Sequence, residues 1–216
     1  MLEPGRLVSD HTVYSCVVGS QAYGLAGPGS DVDRRGVYLV PTALLWSLDK
    51  PPTHVDGPAP EQFSWEFERF CVLALTANPT VLECLWSPIV ERITDVGREL
   101  LAVRPAFVSL KVAATYGAYA RDQMAKLDHH WHRHGEVKWK QAMHVLRTGE
   151  VLVDVSAHRD ELLAVKRGEV RFEAVRERAA RLTDELSAAR SGSRLPAQPD
   201  RAAVDALLIR TRREAL

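Results

Sequence analysis

The chain has 216 residues, 46% of them hydrophobic and 26% charged, and its 28 basic residues equal its 28 acidic ones. That composition describes a globular protein with one generous core or two small ones, and the neutral balance excludes any global pull toward nucleic acid or a membrane surface. No apolar run is long enough to cross a membrane, and the opening MLEPGRLVSD lacks the apolar centre of a signal peptide. Cys16, Cys71 and Cys84 stand singly among apolar neighbours and read as reduced core thiols of a cytoplasmic protein with no membrane attachment.

In chain order, residues 13–18 are rich in β-formers and stop at Gly19-Ser20, and residues 32–40 alternate loosely and stop at Pro41; both predict strands. Between them, QAYGLAGPGS allows one helical turn around Ala22-Tyr23 before Gly27-Pro28-Gly29 imposes a loop. The Pro-rich stretch PPTHVDGPAP leaves room for a short strand at 53–56, and 61–64 is ambiguous between loop and a third short strand. The period then changes. Trp65, Phe67, Phe70, Cys71, Leu73, Ala74 and Leu75 fit a helix that Asn78-Pro79 ends. Thr80 with Glu83 makes a capping-box pattern for a helix over 81–86, and 95–103 predicts another. Beyond Pro105 only helices are expected, over 107–127, 137–147, 171–190 and 202–213, with 151–154 as a connector and 191–200 as a flexible link. Strands first and helices afterwards predict an α/β (α+β) core over residues 1–104 followed by an all-helical domain over 105–216.

The least ordinary stretch is SCVVGSQAYGLAGPGSDVDRRGVYLV. In a strand, residues two apart share a face, so Asp31 and Asp33 would project together while Val32 enters the core. Two carboxylates so placed repel each other and resist desolvation, and Mg²⁺ held by one or two carboxylates plus substrate phosphate oxygens relieves both costs. Upstream, Gly19-Ser20 at a strand end allows a phosphate to approach backbone N–H groups, with the Ser20 hydroxyl adding a hydrogen bond. Phosphate contacts beside a carboxylate-held metal pair are the parts of two-metal phosphoryl transfer.

Gly19-Ser20, ten residues and Asp31-Val32-Asp33 resemble the signature of the DNA polymerase β-like nucleotidyltransferases. GSQAYGL, SDVDRRGVYL, NPTVLECLWSP and KQAMHVLRTGE are similar, in order, to the YcgL-type branch, whose relatives carry the label of RNA-repair polymerase β proteins. The resemblance implies a nucleotidyltransferase core with a mixed sheet. It also implies two Mg²⁺ ions (or Mn²⁺), a nucleoside triphosphate as substrate, and transfer of its nucleoside monophosphate to an acceptor hydroxyl with release of pyrophosphate. The acceptor stays open between a tRNA or other RNA end, a protein side chain and a small molecule. It further implies a third acid on a neighbouring strand, a position that Glu61 takes, with the longer Glu replacing Asp; Asp56 is the alternative. Glu66 and Glu68 read instead as exposed first-turn acids of a helix. Without a positioned third acid the chain would bind a nucleotide and transfer nothing.

Lys140, His144 and Arg147 fall within about 60° of helical arc and form a cationic stripe, either a solvated face or, on the resemblance, a wall that binds the phosphates of nucleotide or acceptor. Arg35, two residues beyond Asp33, either neutralises a phosphate or pairs with the acids. DHHWHRHGE puts His130, His132 and His134 at alternate positions, which reads as a His- and Trp-rich loop, exposed or stacked on nucleic acid, in preference to a metal site and to a metal-dependent hydrolase built on it.

Overall fold

The computed structural model describes residues 3–147 and 155–216. The predicted connector at 151–154 lies outside them. Pro4 opens a first helix, α1 (Pro4–His11), where its missing N–H is no loss, and the chain then enters β1 (Thr12–Val18). A short turn of helix, α2 (Gly19–Ala22), follows, and the loop after it leads to β2 (Asp33–Tyr38), α3 (Thr42–Trp46), β3 (His54–Asp56) and β4 (Gln62–Glu66). After β4 come α4 (Phe67–Leu75), α5 (Pro79–Leu85), β5 (Ile89–Ile93) and α6 (Asp95–Ala102). The remainder is helical: α7 (Lys111–His134), α8 (Trp139–Arg147), α9 (Arg159–Lys166), α10 (Phe172–Gly192) and α11 (Arg201–Glu214).

The five strands form one mixed sheet in the order β3-β4-β2-β1-β5, with β2 and β4 parallel and the other pairs antiparallel. The result is the mixed-sheet α+β core that the sequence predicts, joined to a helical region. Alternation along β2 sends Val37 into the large core under α4 and α5, and Tyr38 into a small one under α1. A second large cluster joins α7, α8, α9 and α10, and the loop after β1 enters it through Tyr23 and Leu25. That loop is tied there by Arg159 Nε donating to the Gly24 carbonyl (3.0 Å) and Lys166 Nζ to that of Leu25 (2.7 Å). The strand end bearing Gly19 is thereby held against the helices.

Several sequence expectations need correction. β2 begins at Asp33, so strand alternation governs Asp33 and Arg35 but not Asp31, and Val32 is only half-buried. The cap of α5 is Asn78, whose side chain accepts from the Val81 N–H with Pro79 at the first helical position, and Thr80-Glu83 is no capping box. Glu66 is buried, not exposed: it caps α4 by accepting from the Glu68 N–H and pairs with Arg212 of α11 at 2.7 Å. That pair, with the Arg212 carbonyl accepting from the Thr42 hydroxyl, fastens α11 back onto the sheet. The His-rich segment is not a loop. It is the last two turns of α7, where His130 and His134 lie one turn apart with ring centroids at 4.5 Å, and Gly135 in the left-handed region (φ 69) ends the helix. α1, α3, β5 and α9 have no counterpart in the sequence reading. The segment 191–200 is anchored, with Leu110 N–H donating to the Pro196 carbonyl and Asp200 N–H to that of Ala106. All three cysteines are free and buried, and no helix among the described residues is long and apolar enough to cross a membrane.

Candidate functional site

A cleft of about 610 Å³ opens where the carboxyl end of β1 and the start of β2 face α5, α7 and α8. The register Val18↔Asp33 puts Gly19 beside Asp33. Gly19 has φ +67, and a Cβ there would lie 2.6 Å from Asp33 Oδ2. Glycine is therefore required twice, for the backbone conformation and for the close approach. Gly19→Ala is expected to cost about 1–3 kcal/mol of stability and to push the Asp33 carboxylate out of place. Urea denaturation checks this; a variant as stable as the parent would mean that the backbone relaxes without cost.

Asp33 and Arg35 share a strand face and both line the cleft, with Arg35 Nη2 3.6 Å from Asp33 Oδ1. Arg35 Nη1 also donates to the carbonyls of Arg34 and Glu61, which fixes the guanidinium at the start of the parallel β2–β4 pair. Asp31 precedes the strand, is exposed, and stands outside the cleft walls. Its carboxylate lies 3.7 Å from Lys140 Nζ of α8, an ion pair at the solvent-exposed rim that contributes little to stability. Each acid of the pair thus has a cation of its own. Ser20 is buried within α2 and is not among the cleft walls, although its carbonyl accepts from Leu25 N–H and helps fold the loop.

Lys140, His144 and Arg147 all line the cleft from α8, opposite Gly19 and Asp33. Arg147 is 9% exposed. One guanidinium nitrogen, Nη2, lies 3.2 Å from Glu83 Oε1 of α5, and the group stacks on Tyr23 with its carbon 3.8 Å from the ring centroid. Among the described residues its buried Nε and Nη1 have no hydrogen-bond partner, so the charge is costly to hold unless an anion offsets it. Burial, and then the charges of Arg147, Lys140 and Lys166, push the His144 imidazole down to about 4. It is therefore neutral at pH 7, and Lys140 and Arg147 alone give the stripe its charge. Its pKa is depressed relative to the unfolded chain, so stability is lost as pH falls below the unfolded value of about 6.5.

Glu61 immediately precedes the Arg34↔Gln62 pair, level with Asp33 in the parallel register. Its backbone is left-handed (φ 55), which takes it out of strand alternation, and its side chain is exposed and outside the cleft walls. Asp56 lies on β3, beyond β4 from β2, and is likewise exposed. Among the described residues no three His, Cys, Asp or Glu side chains gather into a set that would hold a metal. Asp31 and Asp33 offer hard oxygen donors that suit Mg²⁺ when substrate oxygens complete its shell, but a closed three-acid cage is absent from this arrangement.

The sequence reading missed Glu83, Tyr119, Gln123 and Gln141, all of which line the cleft. Glu83 was hidden by its resemblance to a capping box. Tyr119 and Gln123 lie one turn apart on α7, a spacing that marks a shared face only once the direction of that face is known.

Residues 8–154 match the model of the RNA repair pathway DNA polymerase beta family, and the chain belongs to that family. No curated protein and no solved structure matches the chain at a significant level. Membership in the DNA polymerase beta-like group suggests a nucleotidyltransferase.

Proposed function

From that membership as premise, we propose that the protein moves a nucleoside monophosphate from a nucleoside triphosphate to an acceptor hydroxyl. The acceptor oxygen bonds to the α-phosphorus as the bond to pyrophosphate breaks, and the hydroxyl proton leaves to solvent. The observation that carries this reading is the pairing of the Gly19-Asp33 strand end with the cationic α8 residues Lys140 and Arg147 across one cleft. In it, Arg147 and Lys140 bind triphosphate oxygens, His144 and the backbone N–H groups at Gly19-Ser20 add hydrogen bonds, and Arg35 steadies Asp33. Two Mg²⁺ ions, or Mn²⁺, held by Asp31 and Asp33 and by substrate oxygens, would supply neutralisation of the charge that builds on the transferring phosphoryl group. The RNA repair pathway named in the family description supports an RNA end as the acceptor.

A second reading, nucleotide binding without transfer, is favoured by the position of Glu61 outside the cleft walls. Incubating the chain with each α-labelled nucleotide, Mg²⁺, and cellular RNA, protein and small-molecule fractions separates the two. Label appearing in the RNA fraction supports transfer to RNA; bound nucleotide with no pyrophosphate released supports the second reading. Glu61→Gln tests the third acid. If Glu61 completes the metal site, nucleotide affinity holds while turnover falls about 30- to 1000-fold, as for removal of ~2–4 kcal/mol of transition-state stabilisation. Undiminished turnover would take Glu61 out of the site and leave the metal-holding role to Asp31 and Asp33.

A further inference from the structure

The α7 wall of the cleft differs in chemistry from the rest. Its contributions are Tyr119 and Gln123, neither charged, whereas β2 and α8 supply Asp33, Arg35, Lys140 and Arg147. Tyr119 is 42% exposed, an aromatic ring left at the cleft with no ring partner among the described residues. One turn on, Gln123 Oε1 accepts from Gln141 Nε2 at 3.2 Å, a bond that joins α7 to α8 within the cleft lining. Among the described residues that is the one hydrogen bond either amide makes, which leaves the Gln123 NH₂ as a donor and the Gln141 carbonyl oxygen as an acceptor in the cleft lining.

A neutral ring face next to a donor–acceptor pair matches neither phosphate nor metal. It matches a planar heterocycle whose edge carries a donor beside an acceptor, the property that all nucleobases share. Turning both amides over keeps their mutual bond and exchanges the two free ends, so the pair meets the edge in either order. Building on the nucleotide reading above, we infer that Tyr119, Gln123 and Gln141 form the nucleobase subsite: Tyr119 stacks on the base, and the Gln123–Gln141 amide pair hydrogen-bonds its edge while Arg147 and Lys140 hold the phosphates. The residues are determinants of affinity for the base and take no part in the chemical step.

Inorganic tripolyphosphate carries the phosphates and lacks the base, so it separates the two halves of the cleft. Titration calorimetry of the full chain with Mg²⁺ would compare it with the four ribonucleoside triphosphates. The parent is expected to bind at least one nucleotide more tightly than tripolyphosphate. Gln123→Leu and Tyr119→Ala should each lower affinity for that nucleotide about tenfold and leave tripolyphosphate within about twofold. Gln141→Leu should match Gln123→Leu, and melting temperatures establish that each variant is folded. Nucleotide affinity unchanged in Gln123→Leu and Tyr119→Ala overturns the subsite, and so does an equal loss for both ligands. If the parent binds tripolyphosphate but no nucleotide more tightly, the base half fails and the phosphate half stands. Binding of neither ligand overturns the nucleotide reading and this inference with it.

Discussion

Asp33→Asn is expected to lower label transfer at least about 1000-fold while nucleotide binding falls far less. The change is isosteric and removes one charge from the carboxylate that Gly19 admits to within contact distance and that Arg35 steadies at 3.6 Å. Ligation of a divalent cation depends on that charge, and loss of a group acting at the transferring phosphate lowers turnover more than affinity. Asp31 and Asp33 as a bare repelling pair would gain stability from the substitution. With Lys140 and Arg35 each already beside one acid, no such gain is expected, and the melting temperature should stay within the small shift typical of a partly exposed ion pair. Single-turnover incubation with α-labelled nucleotide measures the chemistry, and thermal melting the fold. Transfer at the parent rate would remove Asp33 from the reaction.

The legible parts of this fold are those whose signal is local. Gly19, Ser20 and Asp33 could be read from spacing because a strand, a forced glycine and a second strand sit within one short segment, and the structure brings Gly19 and Asp33 together at the β1–β2 junction. Lys140, His144 and Arg147 were legible as one helix face, and α8 places that face in the cleft. Features fixed by distant partners were not legible. Glu66 looks like a solvated first-turn acid until Arg212, far along the chain, arrives beside it. β5 is an exposed edge strand without hydrophobic alternation, so only its pairing to β1 reveals it. The His-rich tail of α7 carries little helix propensity, yet the helix runs on because Trp131 packs against Phe172 and Asp128 holds Arg176. Asp31 fails for the opposite reason. The alternation rule assumed a strand that begins two residues later.

Arg147→Ala should be the most disruptive single change at the cleft, in two separable ways. A residue on a solvated face costs within about 0.5 kcal/mol when truncated. Arg147 is buried, paired with Glu83 and stacked on Tyr23, so its removal leaves a shielded carboxylate without its cation and a void over the ring. Breaking such a pair costs about 3–5 kcal/mol, and the same truncation deletes a guanidinium charge from the cleft wall. Stability and binding are therefore expected to fall together in Arg147→Ala. A second substitution tells them apart. Glu83→Gln combined with Arg147→Met removes both charges and keeps the volume, and it should recover most of the lost stability because no buried ion is left alone. It should not recover affinity for nucleoside triphosphate or tripolyphosphate. Urea denaturation with parallel calorimetric titration gives both readouts, and added salt should weaken binding more steeply in the parent than in either variant. If the double substitution restores stability and phosphate affinity alike, Arg147 is a structural ion only, and the phosphates must be held by Lys140 and the Gly19-Ser20 backbone.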